Sequence, residues 1–532
     1  NHFSSQSRLN FAKIMLSLTY EQTQAKHKSM NQRIAAKSTK NIGAITLLKP
    51  ILDALHIRET VDHYCPMQRE RALTNGQAIE AMIINRLISP TPLYHVERWA
   101  KLYALNETCG IDANQVNDDR LARALDAYFP HIADIEADVA INAMAKYRLE
   151  PEVVHMDTTS LYFEGEYEES DMLRLGYSRD QKPDKKQVNL CLNVSAKEGI
   201  PLMHGAYQGN KPDPKIVLEN IKRLKAKLKP DHFIMVGDRS TITTDTVSLL
   251  LGSGMDFLGA LKMTKPIQDL VGAIDDFEFK AVEYEGVAEA KYRSCERQVS
   301  LEKKGRVVRG VVVWSLKKAQ EDSNRREAGV KKILGDVEKV KGRLNMGRFK
   351  RVSYVEMKVK VACAGRFGKH VKVEVGGVDG CVSLRFWLDE EALVRLGRLD
   401  GKYVLATSVD WSPSRVIATY RGRYVVESRI SNMKSGLAVR PVFLHSDERV
   451  LALVALTVLS LLVYSVLEVL ARRSGLGKVT SRMLFWEFQK LILIKLVLGS
   501  GESVNVVEDV SEFQAEVLMR LGFGLPEVLF NV

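Results

Sequence analysis

The chain of 532 residues carries 77 Lys and Arg against 65 Asp and Glu, a net charge of +12 with a pI near 9.2. That length buries several cores and excludes a single ordinary domain, while the excess positive charge points to a polyanionic partner, nucleic acid or an acidic membrane surface. Six dispersed cysteines with no CxxC pair exclude a zinc ribbon and a disulfide framework and fit a reducing cytosol.

Residues 1–42 form a polar leader without a sustained apolar core, and no function is assigned to them. From Ile45 apolar residues recur at helical spacing. Thr74 to Gln77 reads as a capping box opening the next helix, Pro90 breaks it, Thr91-Pro92 starts another, and a further helix follows Asn117. Residues 43–150 are therefore an all-α region, able to house a helix-turn-helix reader of DNA or simply to pack as a bundle.

From Glu152 the period becomes that of strands. Val153 to Asp157 is a short apolar run ending in a carboxylate; Val188 to Ser195 and Ile200 to Tyr207 flank Lys197-Glu198-Gly199 as a hairpin. An amphipathic helix over Pro214 to Leu228 precedes His232 to Asp238, a second buried strand ending in an acid. Residues 151–263 thus predict the order β-β-β-α-β with acids on the first and fourth strands.

The stretch from Asp238 to Glu427 is far longer than any single sheet-to-helix connection, so residues 264–400 are read as an insertion domain, mainly β. Strand-like runs at Arg309 to Ser315 and Val371 to Val375 bracket a charged helical pattern from Lys317 to Arg343. A solvated helix is the plain reading of that pattern, and a DNA-phosphate clamp the sharper one. Residues 401–475 return to the core, and 476–532 form a C-terminal accessory segment. Val450 to Leu467 carries no charge, lies at the lower edge of membrane-spanning length, and is read as a buried core helix.

Within the returning core lies Tyr420 to Lys434, YRGRYVVESRISNMK. Tyr420, Arg423, Glu427 and Lys434 are spaced by 3, 4 and 7 positions. One helix at ~100° per residue would gather them on a stripe roughly 60° wide. A carboxylate flanked by a phenol, a guanidinium and an ammonium suits a metal-bound phosphodiester.

The spacing Y-x2-R-x3-E-x6-K resembles the signature of DDE transposases of the insertion sequence 4 superfamily, insertion sequence 1634 type. Asp157 in VVHMDTTSLYF, Asp238 in HFIMVGDRS, and the segments GYSRDQKPDKKQ (Gly176 to Gln187) and GNKPD (Gly209 to Asp213) extend the likeness across most of residues 45–465. The resemblance implies a ribonuclease H-like α/β core in which the two aspartate strands are neighbours, and an N-terminal domain that binds DNA ends. It implies catalysis by Asp157, Asp238 and Glu427, which also hold two Mg²⁺ ions with Mn²⁺ as substitute, and DNA contacts from Tyr420, Arg423 and Lys434. The expected partners are double-stranded element ends and target DNA, with a homodimer in the synaptic complex, no membrane, and a place in the bacterial or archaeal cytosol.

Taken singly, each acid has a plain structural reading. Asp157 could cap a turn, Asp238 could pair with Arg239, and Glu427 could be a helix-face ion-pair residue. Taken jointly they form the donor set that a two-metal phosphodiester displacement needs. The roles of Arg421 and Arg429 stay open, and Trp314 and Trp387 are candidates to accept a flipped base as well as core residues. The rivals are an inactive transposase-derived DNA-binding regulator, a membrane-associated protein, and a ribonuclease H-like nuclease without strand transfer.

Overall fold

The computed structural model describes residues 34–67, 73–149, 151–228, 232–283, 291–301, 306–437, 444, 446–498, 503–508 and 510–524. The first 33 residues of the expected leader lie outside this set. Backbone proximity divides the chain into two compact units, residues 1–135 with 452–532, and residues 136–451.

The first unit opens with strand β1 (Ile34–Asn41), where the sequence reading extends the polar leader to residue 42. Helices follow at Ile45–Ala54, Ile57–Tyr64, Asn75–Ile88, Leu93–Leu102, Leu105–Cys109 and Asp118–Tyr128. The capping box forms as read, the Thr74 hydroxyl accepting from Gln77 N–H, and the Asn117 side chain accepts from Arg120 N–H at the head of its helix.

The second unit is built on nine strands: β2 (Val153–Tyr162), β3 (Gln187–Ser195), β4 (Pro201–Gln208), β5 (Ile234–Gly237), β6 (Asp256–Ala260), β7 (Lys280–Val282), β8 (Tyr292–Ser300), β9 (Val307–Ser315), and, after the two-stranded hairpin of β10 (Val371–Val378) with β11 (Cys381–Leu388), β12 (Lys402–Thr407). Their order is β4-β3-β2-β5-β6-β12-β9-β8-β7. Strands β2, β5 and β6 run parallel to their neighbours within that trio, and every other pairing is antiparallel. The β3–β4 hairpin and the adjacency of the two aspartate strands therefore occur as expected.

Two expectations need correction here. Strand β2 does not stop at Asp157 but continues to Tyr162, because Thr158 to Tyr162 stay paired with β3. The region 264–400, read as a mainly β insertion, is not mainly β, and its first strands belong elsewhere: β7, β8 and β9 extend the main sheet through β12. The rest, beyond Leu316, is largely helical, with a 26-residue helix (Leu316–Lys341) and a shorter one (Val352–Ala362) packed on the β10–β11 hairpin. The valine-rich run of β9 pairs with β12 over six registered positions, and that ladder decides its place.

The sheet's core lies between Val236, Leu258, Val311 and Leu405 on the strands and Val416 and Ile417 on helix Pro413–Arg421. Phe257, on central β6, is fully buried. Phe257→Ala is expected to cost about 3–5 kcal/mol. Urea unfolding of the two proteins checks this, and a loss below ~1 kcal/mol would misplace the core.

Helix Asp447–Arg473 is long and apolar enough to cross a membrane by length and composition, yet its apolar window is wholly buried in the protein. The polar residues that interrupt it turn their hydroxyls back onto the helix: Thr457 to the Leu453 carbonyl, Ser460 to Leu456, Ser465 to Leu461. These three hydroxyls are thereby satisfied without water. Helix Ser481–Phe488 follows, then β13 (Ile492–Leu498), β14 (Ser503–Glu508) and helix Glu512–Leu521. β13 pairs with both β14 and β1. The apolar run in the segment read as accessory is thus the centre of a three-stranded sheet that includes the chain's first described strand.

Candidate active site

Asp157 lies midway along β2 and Asp238 directly follows β5. The last registered pair of these parallel neighbours is His155 with Val236, so each acid stands two residues beyond it and level with the other. Pairing within the sheet thus joins two acids that are remote along the chain.

The signature segment is not the single helix that the spacing suggested. Helix Pro413–Arg421, capped by the Ser412 hydroxyl, packs on β5, β6 and β9, whereas helix Tyr424–Ser431 packs on β2 and β3. Between them Val425 N–H donates to the Gly422 carbonyl and Val426 N–H to that of Arg423, the short-range bonds of a tight turn. A Cβ on Gly422 would stand 3.3 Å from His155 Nε2, so a small residue lets this turn approach β2 closely. The turn changes strands between β5 and β2, which is where the two aspartates are.

The break aims Arg423 into the site. Its Nη2 lies 3.9 Å from Asp157 Oδ1 and 3.8 Å from Glu427 Oε1, and Nη1 donates to the Tyr420 hydroxyl at 3.3 Å. Arg423 Nε is buried without an acceptor among the described residues. Tyr420, Arg423 and Glu427 therefore do converge with Asp157, although a kink rather than a stripe brings them together. Lys434 follows in a π-type turn (Asn432–Gly436) and donates to Asp180 Oδ1 at 2.6 Å. Arg429 is structural: it is buried, and its Nε donates to the Gly199 carbonyl at 2.7 Å in the β3–β4 turn. Gly199 itself has φ +73°, and a Cβ there would stand 2.9 Å from Val425 Cγ1.

The electrostatics differ between the acids. Burial pushes the Asp157 carboxyl up to about 6; Arg423 offsets part of this, and the charges of Asp238 and Glu427 add to it. Burial would raise Asp238 too, but it is held below the usual range by hydrogen bonds from the Ser240 hydroxyl and N–H and the Thr241 hydroxyl, and by Arg423. All these bonds fall on Oδ1, leaving Oδ2 for another partner. Burial and Arg423 together bring His155, on the same face of β2 as Asp157, down to about 4, so it is neutral at pH 7. Beside the signature a cleft of about 480 Å³ is lined by Arg239, Tyr292, Lys317, Tyr403, Tyr420 and Arg421, with the Arg421 guanidinium 5.4 Å from the centre of the Tyr292 ring.

Arg179, Asp180 and Gln187 had no role in the sequence reading. The segments Gly176–Gln187 and Gly209–Asp213, which carry part of the resemblance, interlock. Gln187 Nε2 donates to the Tyr177 and Gly209 carbonyls at 3.0 Å each, and a Cβ on Gly176 would come within 2.1 Å of the Gly209 oxygen. Arg179 Nη2 donates to Thr158 Oγ1 at 3.0 Å and to both Asp213 oxygens at 2.6 and 2.7 Å. Asp180 holds Lys434. A strap is thereby fastened beside Asp157 at two points. Polar runs without periodicity carry no local signal for such a lock.

Arg179→Lys keeps the charge but not the planar donor set. We expect faster proteolysis within 163–186 in the variant; an unchanged digestion rate would show that the strap does not depend on Arg179. Of the two tryptophans, Trp314 is partly buried on β9 against Phe279 and Lys402, a core position, whereas Trp387 is 47% exposed on β11.

Fold and site define a mixed α/β protein that presents two level acids on parallel strands to a third acid and a guanidinium on a kinked helix. The chain belongs to the transposase DDE domain family, whose profile matches residues 148–463. Residues 37–136 match a domain of unknown function, DUF4277. In structure the chain is similar to a piggyBac transposase synaptic complex with hairpin DNA at 7% identity and a TM-score of 0.38, with 84% of this chain and 78% of that one covered. No curated protein is matched.

Proposed function

We propose that the protein is a DDE transposase of the insertion sequence 4 superfamily that cuts double-stranded DNA at the ends of its element and joins them to target DNA. The observation that carries this reading is the position of Arg423, which stands between Asp157 and Glu427 with its buried Nε lacking an acceptor among the described residues. A phosphate oxygen is the acceptor such a guanidinium fits.

The residues fit divalent metal. Asp157, Asp238 and Glu427 are hard oxygen donors whose charges oppose one another at Asp157, the situation that a cation relieves. Among the described residues no three His, Cys, Asp or Glu side chains converge closely enough to hold an ion as they stand. Glu427, with 60% of its side chain exposed, is the ligand free to swing inward. When bound, Mg²⁺ (two ions, or Mn²⁺ in its place) would activate the attacking water or 3′ hydroxyl and stabilise the leaving oxygen.

The chain's own groups divide the remaining work. Arg423 and Tyr420 hold phosphate oxygens beside the acids, and Lys434, positioned by Asp180, supplies a further cation. The strap fixes the backbone after Asp157. A homodimer would bring two such sites to paired element ends. The test is cleavage and strand transfer on duplexes that end in the sequences flanking the coding region, with Mg²⁺ or with EDTA. Metal-dependent joining supports the reading; end binding without cleavage would replace it with a non-catalytic regulator, and cleavage without joining with a nuclease.

A further inference from the structure

The net charge of +12 is not spread evenly. Residues 43–150, the helical region read as the reader of DNA ends, hold eleven Lys and Arg against fifteen Asp and Glu, a net charge of −4. In the long helix Leu316–Lys341 the excess sits at the end: residues 316–338 hold six basic residues against five acidic ones, and Lys339 and Lys341 follow in the last turn. Arg325 there pairs with Asp322, and Arg326 with Asp400. By contrast residues 339–372 hold eleven Lys and Arg against one acid, Glu356, a net charge of +10.

The fold displays this charge. Val337, Val340, Val355 and Val359 turn inward onto Val371, Val382 and Leu384 of the β10–β11 hairpin in one small core, while Met357 and Val361 stay exposed. The cations are left outside: Lys341, Arg343, Arg348, Lys350, Arg351 and Lys360 are all exposed. The connection that carries four of them is fastened to the hairpin by its backbone and by Asn345, whose side chain bonds both the N–H and the carbonyl of Val382, while Gly380 N–H donates to the Lys350 carbonyl. None of the six has an acidic partner among the described residues, whereas neighbouring Lys339 and Lys372 pair with Asp336 and Asp389. An unpaired, repelling cluster of this density costs stability unless an anion meets it.

We propose that residues 339–372 form the main surface by which the protein holds the backbone of duplex DNA, independently of sequence. Helix Val352–Ala362, 11 residues, is ~16 Å long, and that length of duplex axis carries roughly nine phosphate charges, comparable to the charge displayed. The net-negative N-terminal region is then left to contribute selectivity rather than the bulk of the electrostatic attraction. The inference rests on the DNA reading of the function but assigns a different surface from the acid site.

The test uses the full chain with Lys341, Arg343, Arg348, Lys350 and Arg351 each replaced by Gln, and a duplex of random sequence titrated across NaCl concentrations. The slope of log K against log salt is expected to fall by about 0.9 for each phosphate no longer neutralised, hence by roughly 3–4 units, with affinity near 0.1 M salt reduced ~100-fold or more. An unchanged slope in a variant with wild-type melting would overturn the proposal while leaving the transposase reading intact. If the wild type bound no duplex at all, the functional reading would fail with it. Vesicles of phosphatidylserine and phosphatidylcholine supply the other arm: if the variant lost vesicle binding but kept its DNA slope, the patch would belong to a membrane surface and the proposal would be wrong.

Discussion

Glu427→Gln is expected to lower Mg²⁺-dependent cleavage and strand transfer by ~10³-fold or more while leaving duplex affinity within about twofold. The amide keeps the shape of the side chain and removes only the charge, so the local packing of helix Tyr424–Ser431, which rests on buried Val426 and Ile430, is untouched. Glu427 is largely exposed and its contact with Arg423 is a loose 3.8 Å, so its loss costs little stability. A large kinetic defect with unchanged melting therefore isolates its role as a ligand. Equal cleavage by both proteins would remove Glu427 from the proposed metal site and require another acid. Because the DNA-holding charge is assigned to residues 339–372, the salt dependence of binding should be identical in wild type and Glu427→Gln.

The second large effect is a change in the pH dependence of stability. Burial, with Asp238 and Glu427 nearby, raises the Asp157 carboxyl from 3.8 to about 6, a difference of roughly two units or ~3 kcal/mol. Between those pH values the folded protein binds the proton more tightly than the unfolded chain. The resulting stability is present in full below about pH 4 and is lost as pH rises through about 6, leaving a buried carboxylate that opposes folding. Asp157→Asn removes the titration. In metal-free buffer the variant should match wild type near pH 4 and exceed it by up to ~3 kcal/mol at pH 7–8, as read by urea unfolding. Under the proposed metal site, Mg²⁺ should raise the melting temperature of wild type at pH 7.5 and leave that of Asp157→Asn nearly unchanged. Parallel pH profiles for the two metal-free proteins would show that Asp157 is not the strained acid.

His155 illustrates what the sequence conceals. It stands just ahead of Asp157 on β2, yet its part in the site is to be a neutral ring against the Gly422 turn, from a distant part of the chain. The same holds for Arg179 and Asp180. Their partners Thr158, Asp213 and Lys434 are scattered along the chain and meet only because β2, the strap and the signature turn are layered together.

What the sequence by itself determined was local and periodic. The capping box at Thr74, the β3–β4 hairpin, the buried helix around Val450 to Leu467 and the two strands bearing Asp157 and Asp238 follow from short-range patterns of apolar and turn residues. The spacing of Tyr420, Arg423 and Glu427 anticipated that their side chains lie near one another, because residues three and four apart stay neighbours even across a tightened turn. Tertiary structure alone decided the kink at Gly422, since the flanking helices pack on different strands and only their docking forces the break. It also decided that β7, β8 and β9 extend the main sheet and that β1 completes a sheet with β13 and β14. Strand pairing at long sequence separation is set by backbone ladders and shared burial, which no window of neighbouring residues records.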